Sequence, residues 1–405
     1  MTARRPAIAA PLRHGSFRAL LAGQLLVRAG NGLASVALAF AVLDLSGSVA
    51  SVGLVVGARS LANVLLLLIG GVLADRLPRP LLLQGACLLA ALTQALIAAA
   101  ILTGTASLPL LCALSLLNGA SAAAGMPAMA SLTPQTVPAE VLRPANALVR
   151  VGSQLGMTTG FSLGGALSGL LGSGWALALN AAMFALAALC CLFVRVAALP
   201  PPAARIRVLG ELKEGWSEFT ARSWVWIVVV QFMVVNVTIS GGIVILGAAI
   251  ADDTFGREAW GVILGVQTVG ALVGGLVAAT WQPRRALFFG VALMLLEAVP
   301  MIVLAQSPTV WLLMGVMFAV GACTEQFNVA WEVSLQQNIP ANRLARVYSY
   351  DMLGSFIALP VGEIAVGPIA ESFGFAATLY GAAALLVAAT LAAMANRGVR
   401  TLVRH

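Results

Sequence analysis

Twelve apolar runs alternate with short polar gaps along this chain. They cover residues 17–43, 48–74, 80–103, 107–131, 146–171, 174–196, 224–250, 258–281, 285–306, 308–333, 348–370 and 375–396. As a helix, each run is long enough to cross ~30 Å of hydrocarbon, with tilt where it is longer. Gly and Pro punctuate the gaps, as at Pro78, Pro109 and Pro308. The pattern predicts an all-α polytopic membrane protein with twelve transmembrane helices.

The longest hydrophilic stretch, 197–223, divides the runs into six and six. It predicts an N-terminal bundle over 1–196, a cytoplasmic linker over 197–223 and a C-terminal bundle over 224–405. Within the linker Ile206, Leu209, Leu212, Trp216 and Phe219 recur at helical spacing between Arg205, Arg207, Lys213 and Glu214, as in an amphipathic helix at the headgroup surface. The two halves also repeat. At an offset of 202 residues, Val137, Pro138, Ala139, Leu142, Gly152 and Ser153 meet Ile339, Pro340, Ala341, Leu344, Gly354 and Ser355. The GGVLADRLPRP stretch at 70–80 parallels GGLVAATWQPRR at 274–285. Two six-helix halves of one topology make two pseudo-symmetric bundles, the basis of alternating access.

Composition narrows the class. Of 405 residues, 60% are hydrophobic and 9% charged, and the mean hydropathy is +0.97. A soluble domain needs about a quarter charged residues, so a soluble enzyme, a disordered chain and a secreted disulfide scaffold are excluded. The net charge of +8 lies in the gaps between runs, which argues for topology signals and against a nucleic-acid surface. With the N-terminus inside, 20 of 23 basic residues fall on the cytoplasmic side. Arg257 falls outside, and Arg28 and Arg59 lie within the membrane. Both termini are expected in the cytoplasm, in a bacterial cytoplasmic (inner) membrane. The first run lacks a cleavage site and reads as a retained helix.

The single lysine, Lys213, follows Leu212, so no Gly-Lys phosphate loop exists and no ATPase engine is expected. His14 and His405 lie near opposite ends, which leaves no metal cluster and no histidine-based triad. Cys87, Cys112, Cys190, Cys191 and Cys323 sit in apolar runs as small hydrophobes. No cofactor is expected. Gly160-Phe-Ser162-Leu-Gly164 fits a serine-hydrolase elbow, but no strand precedes it and no histidine serves it. Asn236-Val-Thr238 fits a glycosylation site but lies inside run 7.

Between runs 2 and 3, Gly71-Val-Leu-Ala-Asp75-Arg76-Leu-Pro-Arg79-Pro80 resembles the G-x-L-a-D-R-x-G-R-[RK] loop of the major facilitator superfamily, with Pro78 and Pro80 as departures. In run 5, Gly156, Gly160, Gly164 and Gly165 resemble that family's antiporter motif G-x-x-x-G-P-x-x-G-G, with Phe161 in place of the proline. Glycines at this spacing also make a plain packing seam. Phe17 to Gln24, Val137 to Asn146 and Trp331 to Pro340 resemble the branch holding macrolide-efflux proteins and the enterobactin exporter. That branch often carries an acid near Asn31, where this chain has an amide.

The resemblance implies that runs 1, 4, 7 and 10 line a central cavity. A charge at mid-membrane costs ~2.5–3.5 kcal/mol on insertion scales, so each needs a reason. Run 1 carries Gln24, Arg28, Asn31 and Ser35 on one face; run 4 offers Ser115 and Asn118, and run 7 offers Gln231 and Asn236. Run 10 carries Glu325, Asn328 and Glu332 on one face. Arg59, Glu297 and Glu363 are the other mid-membrane charges. Interhelical hydrogen bonding is the competing account of these polar groups, and Glu297 is expected to be structural or to graze lipid. Phe40, Phe161, Phe184, Phe232, Phe318, Phe327 and Trp331 offer a greasy pocket, or simply helix packing.

The expected substrate and proton pathway is therefore Gln24, Arg28, Asn31, Arg59, Asn118, Gln231, Asn236, Glu325, Asn328 and Glu363. Glu325 is the favoured coupling acid, with Arg28 as its partner. Gly71, Asp75, Arg76, Arg79 and Asp351 form the expected conformational switch. The chain is expected to be a monomeric secondary transporter, not an enzyme. It would export an amphipathic small molecule (a drug, a macrolide-like compound or a siderophore) against protons, with lipids as its other partners. A major-facilitator importer or uniporter, and a non-transporting sensor or scaffold, are the rivals.

Overall fold

The computed structural model describes residues 9–76, 78–196, 216–217, 219–281, 283–306 and 308–402; the side chains of 68–76, 130, 279, 341–343, 345–346 and 349 lie outside that description. Every regular element among the described residues is helical. The long helices are α1 (Gly15–Ser46), α2 (Val49–Arg76), α3 (Arg79–Leu102), α4 (Leu108–Thr136), α5 (Leu142–Leu170) and α6 (Ser173–Leu192). They continue with α7 (Ser223–Asp253), α8 (Arg257–Thr280), α9 (Ala286–Gln306), α10 (Val310–Asn338), α11 (Ala341–Phe373) and α12 (Phe375–Ala395). This is a multi-pass membrane protein. Among the described residues, eleven of these helices are long and apolar enough to cross a bilayer. The exception is α5, whose polar Arg150, Gln154, Thr158 and Thr159 dilute its apolar content.

Several helices outrun their apolar stretches. α4 continues through Pro134-Gln135-Thr136, α10 through Gln336-Gln337-Asn338, and α11 starts at Ala341. Polar helix-compatible residues extend these helices beyond the hydrophobic pattern.

Two compact units divide the chain. One comprises Met1–Ser46 and Ala58–Ala203, the other Gly47–Gly57 and Ala204–His405. The opening stretch of α2 groups with the second unit because Gly53 and Gly57 lie against Glu363 and Ile364 of α11. The predicted linker falls largely on 197–215 and 218, outside the described residues. At its described end, Trp216 and Phe219 stack together and both pack on Tyr350.

Inside each unit the same helix pairs meet. In the first, α1 packs on α5 and α6, α3 on α4 and α6, and α2 on α4. In the second, α7 packs on α11 and α12, α9 on α10 and α12, and α8 on α10. The pairing repeats residue by residue. A Cβ at Gly160 of α5 would run into the Ala29 carbonyl of α1; one at Gly362 of α11 would run into the Val237 carbonyl of α7. Gly152 faces Leu21 and Leu25, and Gly354 faces Val229 and Met233. Gly119 of α4 abuts the Arg59 carbonyl, and Gly321 of α10 abuts the Gln267 carbonyl. The offset is therefore 202 residues for α4, α5, α10 and α11, and 208 for α1, α2, α7 and α8. The glycine pair at 70–71, matched by sequence to 274–275, is thus one helical turn out of register. Small residues recurring every four positions made the match ambiguous by a turn. The turns before α6 and α12 repeat as well, with Gly172 at φ +90° and Gly374 at φ +83°, a region that glycine enters without strain.

Two helices of the second unit break their α-geometry. In α7, Ser240–Leu246 forms a π segment around Gly241-Gly242. In α9, Met294–Glu297 tightens to a 3₁₀ turn. Pro300, just beyond, lacks an N–H for the Leu296 carbonyl, and its ring crowds that carbonyl.

Candidate functional site

The first unit builds its site around Arg59. The guanidinium donates through Nε to Asn118 Oδ1 at 2.9 Å and through Nη2 to Asn31 Oδ1 at 2.7 Å. Asn118 Nδ2 in turn donates to Thr93 Oγ1 at 3.0 Å, and Thr93 donates to the Leu89 carbonyl at 2.9 Å. Both ends of the Asn118 amide are used, which fixes its orientation, since the oxygen must face the cation. α1, α2, α3 and α4 each contribute one residue to this chain of bonds. Close approach makes it possible: Gly119 lets the α4 backbone lie on the Arg59 carbonyl, which brings Asn118 within reach of the guanidinium. Linked donors of this kind polarise one another, and truncating one member exposes the rest.

The rest of the α1 stripe separates. Gln24 is buried and lines a small cavity with residues of α3, α4 and α6. Arg28 is exposed, and its Cβ lies 3.1 Å from where a Cβ on Gly156 would sit. The polar stripes of the sequence do not point to Asn180, a lone amide in run 6. It is fully buried and donates to the Gly30 carbonyl of α1 at 2.5 Å. A single amide inside an apolar run is the signal that identifies such a bond.

The glycines of the α5 motif form a seam on α1. Built Cβ atoms at Gly156, Gly160 and Gly164 would meet the carbonyls of Leu25, Ala29 and Leu33 in succession. Gly165 is buried beside them. Arg79 opens α3 after Pro78. Gly71, Asp75 and Arg76 lie on the last turns of α2, where side chains are outside the described residues.

In the second unit the polar groups are acids and amides. Gln231 is buried and its Nε2 donates to Thr390 Oγ1 of α12 at 3.2 Å, so it joins two helices of one unit. Asn236 donates to the Ser355 carbonyl of α11 at 3.2 Å, and Ser240 to the Leu359 carbonyl at 3.1 Å. Glu325 is half-buried, with its Cγ 3.4 Å from where a Cβ on Gly275 of α8 would sit. Asn328 and Glu332 are exposed, and Gln336 donates to Glu332. Glu363 is buried on α11 against Gly53 and Gly57. Asp351 accepts the Trp331 indole N–H at 3.0 Å, which fastens α11 to α10.

Of the two expectations for Glu297, the structural one fits its surroundings. It is buried rather than grazing lipid, sits at the end of the 3₁₀ turn in α9, and accepts a bond from Thr324 Oγ1 of α10. The aromatics mostly pack: Phe40, Phe184, Phe327 and Trp331 are buried, and Phe232 stacks on Phe327 with centroids 5.1 Å apart. Phe161 is half-buried and Phe318 partly exposed.

Known proteins are similar to this chain in sequence or in fold. The multidrug efflux pump Tap of Mycolicibacterium fortuitum is 25% identical over 382 residues, 90% of this chain and 92% of its own length. The uncharacterized MFS-type transporter YvqJ of Bacillus subtilis (strain 168) is 20% identical over 268 residues, 64% of this chain and 64% of its own length. A mutant of the nucleoside transporter NupG superposes with a TM-score of 0.78 at 14% identity, over 94% of this chain and 99% of that one. An inward-facing bacterial homologue of the human lysosomal transporter Spinster superposes with a TM-score of 0.75 at 18% identity, over 95% and 96%. The family model described as Major Facilitator Superfamily matches residues 20–363. With twelve long helices paired twice over, that match makes the chain a multi-pass membrane transporter of the Major Facilitator Superfamily.

Proposed function

We propose that the protein is a proton-coupled exporter of amphipathic small molecules, working by alternating access in a bacterial cytoplasmic membrane with both termini inside. The observation that carries this reading is the likeness to the efflux pump Tap across nine-tenths of the chain. It acts as a monomer, uses no cofactor and catalyses no covalent step. Glu325 loads and releases the proton, and the Arg59–Asn31–Asn118 network orients a polar group of the substrate. Asp75, Arg76, Arg79 and Asp351 serve the conformational switch.

The test uses inverted vesicles with an imposed pH gradient and a lipophilic cationic dye. Gradient-driven dye accumulation supports the proposal; dye movement indifferent to the gradient overturns proton coupling. Glu325→Gln should abolish uphill accumulation while downhill exchange survives. Normal uphill transport by that variant removes Glu325 from the role. The second reading, an importer or uniporter, draws on the fold likeness to the nucleoside transporter NupG. Uptake of labelled nucleoside into right-side-out vesicles separates it.

A further inference from the structure

Four arginines gather at one end of the second unit. Arg284 and Arg285 precede α9, and Arg397 and Arg400 lie on a last short helix, α13 (Arg397–Thr401). All four are exposed, and among the described residues none of their guanidinium groups meets an acceptor. At Arg257 of the same unit, by contrast, the cation pairs with Asp252 at 2.6 Å. α13 is fixed beside α9. Asn396 accepts from the Val399 N–H at 3.3 Å, Val399 is buried, and Gly398 lies against Ser223 and Trp224 of α7. α13 also packs on α9 and α12. A shallow cleft opens between α9, α10 and Leu402, the residue that follows α13. Apolar Leu287, Val333 and Leu402 line it together with polar Ser334, Gln337 and Asn338. Trp281, just before the first arginine pair, is exposed and meets Phe289 edge-on with centroids 4.8 Å apart. An indole there marks the level of the lipid headgroups. No Asp or Glu occurs in 281–296, 333–350 or 374–405. Glu332, beside the cleft in sequence, accepts from Gln336 at 3.2 Å.

We propose that this patch binds the phosphodiester headgroup of an anionic phospholipid in the leaflet on that side. Guanidinium groups suit a phosphodiester, because their paired N–H donors match its two free oxygens. The lining of the cleft favours a lipid over free phosphate. Phosphate would meet the arginines alone, whereas a phospholipid also covers Leu287, Val333 and Leu402 with its acyl chains. A zwitterionic headgroup brings its own cation, which the four arginines repel. The bound lipid ties the start of α9 to α13 and so fastens the end of the chain to the second unit. The site is read by binding alone, so it stands or falls apart from the export reading.

The test titrates the purified full-length protein in neutral detergent with phosphatidylglycerol, phosphatidylcholine or inorganic phosphate. Phosphatidylglycerol should raise the thermal midpoint by several degrees, and the other two should leave it where it was. The paired variants Arg284→Gln with Arg285→Gln, and Arg397→Gln with Arg400→Gln, should weaken phosphatidylglycerol binding by about fivefold for each arginine removed. Arg13→Gln with Arg18→Gln, an exposed pair in the first unit, should bind as the unmutated protein does. A phosphatidylglycerol with a photoreactive headgroup should label peptides within 281–289 and 397–402 of the unmutated chain. That labelling needs no variant, so a folding defect in one of them does not shelter the idea. An equal midpoint rise with phosphatidylcholine or with inorganic phosphate would overturn it. So would unchanged binding by both second-unit variants, an equal loss in the first-unit pair, or labelling confined to other peptides.

Discussion

The two halves share one set of backbone contacts and almost none of their polar chemistry. Gly160 on Ala29 matches Gly362 on Val237, and Gly119 on Arg59 matches Gly321 on Gln267. Yet the same offsets place the Arg59 cation opposite the neutral Gln267, and Glu363 opposite Phe161. The glycines even change sides. Gly164 of α5 admits Leu33 of α1, whereas in the second half Gly241 of α7 admits Val366 of α11. What is preserved is the closeness of the backbones, not which helix supplies the small residue. The difference teaches that the seams hold the fold, while the polar positions between them are open to divergence.

The largest effect should come from the seams. Gly160→Leu and Gly362→Leu each drive a side chain into a facing carbonyl, and overpacking of this kind costs ~1–3 kcal/mol or more. Both variants should fail to yield a monodisperse protein by fluorescence-detected size exclusion. If one folds normally, the equivalence of the two seams is broken. Next comes the network special to the first half. Asn118→Leu leaves Arg59 Nε and Thr93 without their shared amide, a loss of ~1–3 kcal/mol. Its counterpart Val320→Leu should cost under ~1.5 kcal/mol, as a swap between hydrophobes. Thermal midpoints in detergent would compare the two, and equal losses would mean that the network adds nothing specific.

A smaller effect belongs to the second half. Thr324→Val removes the donor to Glu297 and should lower stability by ~1 kcal/mol with dye transport unchanged. A transport defect greater than the stability loss would move Glu297 from structure to function. The smallest change has the opposite sign. A Cβ at Gly315 of α10 meets nothing within 4 Å, so Gly315→Ala should stabilise by ~0.5–1 kcal/mol.

The fold was readable because hydrocarbon imposes one solution on each apolar run. Runs 3 and 12, at 80–103 and 375–396, end within a residue of α3 and α12. The site was readable only in part. Periodicity put Gln24, Arg28, Asn31 and Ser35 on one face of α1, but a face is wider than a contact. Gln24 turns to the neighbouring helices of its unit, and Asn31 reaches Arg59. Which helix an amide meets depends on packing offsets that sequence spacing does not carry. The 3₁₀ turn at Glu297 had a visible cause in Pro300, but its burial needed the neighbour Thr324. The π segment of α7 had no cue beyond Gly241-Gly242.

That π segment bears on the ancestry of the chain. A π turn holds one more residue than the α-turn it replaces, so it takes up an extra residue without breaking the helix. The offset of 208 between α1 and α7 holds up to Leu33 and Gly241, where the π segment begins. Past it, an alignment of the two halves that follows the structure opens a one-residue gap within α7 and closes it again before Gln267, which stands 208 residues from Arg59. A gapless alignment carries every later position of α7 round the helix by about 100°, as any single-residue slip does at 3.6 residues per turn. Historical inference from internal duplication would then compare side chains that never occupied the same place.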